Sequence, residues 1–201
     1  MRIRKNFNVL LLSLFLFLFA GCTKTYLHFG GHEDLDQERI KKIAVLPFMN
    51  ETSRRLAGEV VTNIFNYGVL KVGFFKVEEK GNVEQFLFQE KIRDVSRIEK
   101  RKLRRLGHRL NVDAVYIGTV EEFAGGSKGL RLATPKIAFR VKLVETKTGK
   151  ILWAAHNRAS GDDYVKIFDV GRIRTAEQLM KRVVVSTLQS TFEEAEIPGN
   201  P

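Results

Sequence analysis

The sequence predicts an α/β fold: an α+β sandwich in which a mixed β-sheet carries packed helices. Three observations point there. Short apolar, β-branched runs alternate with helical periodicity from Ile43 to Val120. An alternating hairpin pattern follows over Ile137–Ala155. A clear amphipathic segment closes the chain at Ala176–Phe192. A chain of 201 residues that is 44% hydrophobic and 28% charged has the composition of one globular domain. Four prolines and no low-complexity tract exclude a largely disordered chain. A single cysteine excludes an internal disulfide framework and a Cys-based zinc cluster.

The first residues are read as a signal. Met1-Arg2-Ile3-Arg4-Lys5 is basic, Val9–Ala20 is almost unbroken apolar, and Gly21 and Cys22 follow. A basic start, a short apolar core and small residues at its end make a secretory signal peptide. The apolar run is shorter than the ~20 residues a spanning helix needs. Leu18-Phe19-Ala20-Gly21-Cys22 resembles the lipobox of bacterial lipoproteins. That resemblance implies cleavage after Gly21, acylation of Cys22, and, with Thr23 next, sorting to the outer membrane on its periplasmic side. The expected organisation is a signal at 1–21, a lipidated N-terminus and flexible tether at 22–39, one globular α/β domain at 40–194, and a disordered tail at 195–201. The net charge of +11 falls to +8 once Arg2, Arg4 and Lys5 leave with the signal. That balance favours anionic partners.

Each element has its own signal. Ile43–Phe48 reads as a strand closed by Pro47. Asn50–Ser53 offers helix-capping residues, and Leu56, Val60, Ile64 and Tyr67 share one helical face, with Gly68 as the stop. Phe74–Glu79 reads as a second strand, and Val83, Phe86, Leu87 and Ile92 as a short helix. Residues 96–110 form a basic amphipathic helix, opened by a Ser96/Glu99 capping box. Ala114–Val120 reads as a central buried strand, and Gly125–Thr134 as a loop. Ile137–Val144 and Ile151–Ala155 form a hairpin around Thr146–Gly149, with Trp153 in the core; Gly161–Gly171 is a loop. In the last helix, Ala176, Leu179, Met180, Val183, Val184, Thr187, Leu188 and Phe192 recur at helical spacing. The order β-α-β-α-α-β-β-β-α implies parallel early strands and an antiparallel hairpin.

Chemical motifs are scarce. The sequence has no phosphate-binding glycine loop and no H-E-x-x-H. His28 and His32, with Glu33 and Asp34, are a weak metal candidate within the tether, and His108 reads as solvated. Glu121-Glu122 are adjacent on a strand and point to opposite sides, which makes a poor acid/base pair. Asp162-Asp163 read as turn residues. The expectation is a non-enzyme without cofactor or bound metal. Lys100, Arg101, Arg104 and Arg105 are the candidate contacts for an anionic surface; export argues against nucleic acid.

A series of stretches carries a further resemblance: Ile43–Phe48 with Asn50, Phe75–Glu78, Leu106-Gly107 with Val112–Val120, and Lys142–Trp153. In this order they resemble the exported lipoproteins of the curli secretion channel (CsgG-like) superfamily. Its relatives include the penicillin-binding-protein activator (LpoB-like) lipoproteins and the N-terminal domain of the TolB type. The resemblance covers about residues 40–192. It implies an anticodon-binding-domain-like fold in the periplasm, which binds other envelope proteins or assembles into rings. The leading expectation is a lipid-anchored, non-enzymatic adaptor or accessory factor of an envelope complex. The alternatives are a subunit of an oligomeric outer-membrane secretion channel and an enzyme acting on envelope polymers.

Overall fold

The computed structural model describes residues 27–28, 39–128, 131–165 and 171–195. The signal, Cys22, most of the expected tether, and residues 196–201 lie outside the described residues. Among the described residues, seven strands form one sheet: β1 Leu27–His28, β2 Lys42–Val45, β3 Met49–Asn50, β4 Lys76–Val77, β5 Ala114–Lys128, β6 Arg131–Glu145 and β7 Ile151–Ser160. Four helices, α1 Ala57–Val72, α2 Lys80–Gln89, α3 Lys100–Leu110 and α4 Ala176–Ala195, pack on it. The sheet order is β1-β7-β6-β5-β2-β4, with β3 also on β5. β2 is parallel to β4 and β5, whereas β5-β6 and β6-β7 are antiparallel. This is the mixed sheet that the sequence predicts, and the predicted element order with two short strands, β1 and β3, added.

The sheet divides two apolar clusters. On one face α1 and α4 cover Ile43, Val45, Tyr116, Phe139, Leu143 and Trp153. Phe48, Phe65, Tyr116 and Trp153 form a run of ring contacts with centroids 5.1, 5.0 and 6.1 Å apart. Trp153 is therefore core, as expected. On the other face α2 and α3 cover Ala44, Leu46, Val115, Ile117 and Val144 with Val83, Phe86, Leu103 and Leu106. No residue of β7 belongs to this second cluster. Among the described residues, α2 and α3 thus cover the second face over β2, the start of β5 and Val144 of β6, and leave Arg140 of β6 and His156 and Arg158 of β7 exposed.

α4 buries Ala176, Leu179, Met180, Val183, Val184, Thr187 and Leu188, the residues its spacing marks. α1 is turned from its expected phase. It buries Ala57, Gly58, Val61, Thr62, Ile64, Phe65, Gly68 and Val69, and leaves Leu56 and Tyr67 more than half exposed. Gly68 is not the stop. A Cβ there would lie 2.6 Å from Val184 Cγ1, so the glycine lets α1 and α4 cross closely. Gly73, at φ 79°, ends the helix and its N–H bonds Val69 O.

Other boundaries also move. The capping box at Ser96/Glu99 does not form: α3 starts after Glu99 without a side-chain cap. Ser96 instead donates its N–H and hydroxyl to Asp94 Oδ1, at 2.9 and 2.6 Å. Asp94, two residues upstream, outcompetes the helix for that hydroxyl. Asn50 does not cap α1; its amide donates to the carbonyls of Arg54 and Arg55 at 2.8 and 3.2 Å. The second strand shrinks to Lys76–Val77. The loop expected at Gly125–Thr134 is mostly strand, with β5 running to Lys128 and β6 starting at Arg131. Gly125 (φ 102°) marks a register shift between Ala124 and Gly126, and a Cβ there would lie 2.3 Å from Pro135 Cα. The glycine serves a bulge inside the ladder rather than its end. Leu27–His28, inside the expected tether, pair with His156 and Ala155 at the β7 edge.

Candidate functional site

The open half of the second face is built from alternate residues of β6 and β7. The register sets Arg140 beside His156 and Lys142 beside Ala154. Ile117 and Thr119 of β5 lie beside Lys142 and Arg140. Ser96, before α3, closes one side of a cavity of about 320 Å³ over this floor.

At one end of the cavity sits a charged network. A register shift between Val120 and Glu122 accompanies a Glu121 side chain that meets β6 and β7 together. Its carboxylate accepts a hydrogen bond from Arg140 and pairs with His156 Nε2 at 2.7 Å. Arg140 also donates to Glu51 at 2.6 Å. Burial works to raise the Glu121 pKa; the hydrogen bonds and charges of His156 and Arg140 overcome it and hold the carboxyl below its ordinary range. A folded value below the unfolded one stabilises above the unfolded pKa, and that stabilisation disappears as pH falls through the folded value. Glu121→Gln is therefore expected to cut the loss of thermal stability between pH 5 and pH 3 at the ordinary carboxylate range of about 4.3. Melting curves of both proteins across that interval check it.

The sequence-derived cations divide. Lys100, Arg101 and Arg104 are exposed on α3, with no described carboxylate partner. Arg105 is also exposed, but its guanidinium is held by Glu90 at 2.7 Å. Lys102 Nζ donates to the Glu90 carbonyl at 3.2 Å, and the Arg109 guanidinium lies 5.9 Å from the Phe86 ring centre. Lys100 comes against the β6–β7 turn: a Cβ on Gly149 would lie 3.2 Å from its Cγ. The free cations of α3 thus continue onto the open half-sheet, where half-buried Lys142 and exposed Arg158 also lack a described carboxylate partner.

The remaining candidates are structural. Asp163 accepts the Ser160 N–H at 2.6 Å, and Asp162 accepts from Thr134 Oγ1 at 3.1 Å and pairs with Arg172 at 3.0 Å. Asp163 and Ser160 form the capping box of the 3-10 turn Gly161–Tyr164. His108 is exposed on α3. His28 lies in β1, while His32, Glu33 and Asp34 lie outside the described residues. Among the described residues, no group of three or more His, Cys, Asp or Glu is placed to hold a metal ion, and no helix is long and apolar enough to cross a membrane.

Between α1 and α4 lies a larger groove of about 1140 Å³, floored by Val60 and Ile64 and rimmed by Tyr67, Lys71 and Lys181.

A comparison with solved structures shows the same fold in other chains. A PelC dodecamer from Paraburkholderia phytofirmans aligns at TM-score 0.57 and 18% identity, covering 83% of this chain and 96% of that one. Lipoprotein GNA1162 from Neisseria meningitidis aligns at TM-score 0.52 and 17% identity, covering 76% and 99%. The LpoB C-terminal domain from Salmonella enterica aligns at TM-score 0.45 and 15% identity, over 59% and 82%. A search of curated proteins gave no match. The model of the GNA1162-like lipoproteins matches residues 32–197, nearly the whole folded chain. The chain belongs to the GNA1162-like lipoprotein family.

Proposed function

We propose that this protein is a lipid-anchored, non-enzymatic adaptor of a cell-envelope complex, held on the periplasmic face of the outer membrane through acylated Cys22. The observation that carries the reading is the lipoprotein family match over residues 32–197, beginning ten residues after the one cysteine of the chain. Acylation at Cys22 supplies the anchor, and the folded α/β domain supplies the docking surfaces. Family membership supports the lipoprotein; the compartment and the adaptor role are the proposal.

A secretion-channel subunit is the second reading, and the length of the β5–β6 hairpin bears on it. A membrane-spanning β-strand needs ~9–11 residues. β7 stops pairing at Lys136, so β6 extends beyond it only over Arg131–Pro135. That projection is too short to span, which favours the adaptor over a CsgG-like channel. The likeness to a PelC dodecamer still makes self-assembly an outcome to test.

The test is extraction of the native protein in mild detergent, followed by crosslinking, electron microscopy and planar-bilayer recording. The adaptor reading expects crosslinks to another envelope protein and no conductance. Rings of this chain alone with discrete ion conductance would replace it with the channel.

A further inference from the structure

We infer that the open half of the second sheet face, with the adjoining start of α3, is a docking trough for an extended acidic polypeptide segment of the partner protein. This rests on the adaptor reading and names the chemistry of what is adapted.

The first argument is charge. Lys142 is half-buried on the floor and faces the cavity without a described carboxylate partner. Lys100 stands at the β6–β7 turn and Arg158 on β7, both exposed and likewise without one. Arg140 differs, because Glu51 and Glu121 neutralise it. The available positive charge therefore lies on Lys142, Lys100 and Arg158. A cation held in a concavity keeps more of its attraction for a counter-charge than one on a convex surface, because solvent screens it less.

Shape selects among anionic partners. A flat bilayer surface meets the exposed cations of α3 first, whereas Lys142 lies half-buried within the cavity. Ala154, half-buried beside Lys142, gives the floor an apolar patch next to the cation. A hydroxyl-rich polysaccharide leaves such a patch unused, whereas a polypeptide with alternating acidic and small apolar side chains covers it. Same-face side chains of an extended chain repeat every ~6.8 Å, the repeat of β6 beneath it. The β7 edge is already taken by β1 at His156 and Ala155, so the segment lies on the sheet face rather than adding a strand there.

The probe is a fluorescein-labelled dodecapeptide of alternating Glu and Ala, titrated by anisotropy into the full-length protein in neutral detergent at low salt. Binding is expected to weaken at least about tenfold in Lys142→Gln/Lys100→Gln, in line with the loss of charge-assisted contacts. Lys71→Gln/Lys181→Gln, which removes two cations from the α1–α4 groove on the other face, is expected to leave it unchanged. Circular dichroism melts confirm that both variants fold; if Lys142→Gln/Lys100→Gln melts early, the exposed Lys100→Gln/Arg158→Gln pair replaces it. Equal loss in the α1–α4 variant would reduce the effect to net charge and overturn the inference. So would absence of peptide binding, or a Lys142-dependent affinity for phosphatidylglycerol vesicles or polygalacturonate that exceeds that for the peptide. These failures would leave the adaptor reading standing on its crosslinks. Absence of crosslinks with intact peptide binding would fail the adaptor and keep the trough.

Discussion

Cys22→Ala is expected to move the protein from the membrane fraction to the soluble fraction, the largest change any single residue of this chain should produce. Among the described residues, no helix is long and apolar enough to cross a membrane. Each buried acyl CH₂ contributes ~0.8 kcal/mol, and a second chain turns marginal binding into a stable anchor. Basic residues on α3 do not substitute, because exposed cations attract a membrane weakly and salt screens them. Fractionation at physiological salt, followed by a salt wash, checks this. Wild type stays with the membrane through the wash and the variant does not. A variant that sediments with membranes until the wash would assign the attachment to surface charge.

The second large effect concerns Gly118, in the middle of β5. A Cβ there would lie 2.1 Å from Phe48 Cε1, and Phe48 is itself packed on Phe65 at 5.1 Å between ring centres. The ring cannot withdraw without leaving the aromatic run that joins β5 and β7 to α1. Gly118→Val is therefore expected to destabilise by about 3 kcal/mol or more, overpacking adding to displacement of a buried ring. For a domain of this size that lowers the melting temperature by roughly 6–12 °C. The cause is separable. In a Phe48→Ala background the same substitution has room, and its cost is expected to fall to about 1 kcal/mol or less. Equal costs in both backgrounds would place the strain in the β5 backbone rather than at the ring.

Much of this architecture is legible in the residues. α4 is read correctly because its apolar spacing and its burial coincide: the helix meets the sheet along one stripe. α1 is misread because small residues form half of its contact. Gly58, Thr62 and Gly68 face inward, so counting large apolar residues rotates the helix and turns a packing glycine into a stop. The same bias shortens the β5–β6 hairpin, where Gly125 marks a bulge and not the end of the ladder. A Ser96/Glu99 pattern fails for a local reason, since Asp94 offers the nearer acceptor.

The site is legible in part. Lys100, Arg101 and Arg104 follow from charge and helical spacing alone. That Arg105 is tied to Glu90 does not, because the pairing depends on how α2 ends beside α3. Glu121, Arg140 and His156 lie on three strands, and only the register of β5, β6 and β7 joins them. No local pattern announces such a network. Lys142 belongs to the same class: it is an ordinary half-polar strand position until the topology leaves that half of the sheet uncovered.

The most direct measurement is the mass of the mature N-terminal peptide from native membranes. The expected peptide begins at Cys22 and carries two or three acyl chains. An unmodified Cys22 thiol, or an uncleaved N-terminus still bearing residues 1–21, would contradict the lipid anchor.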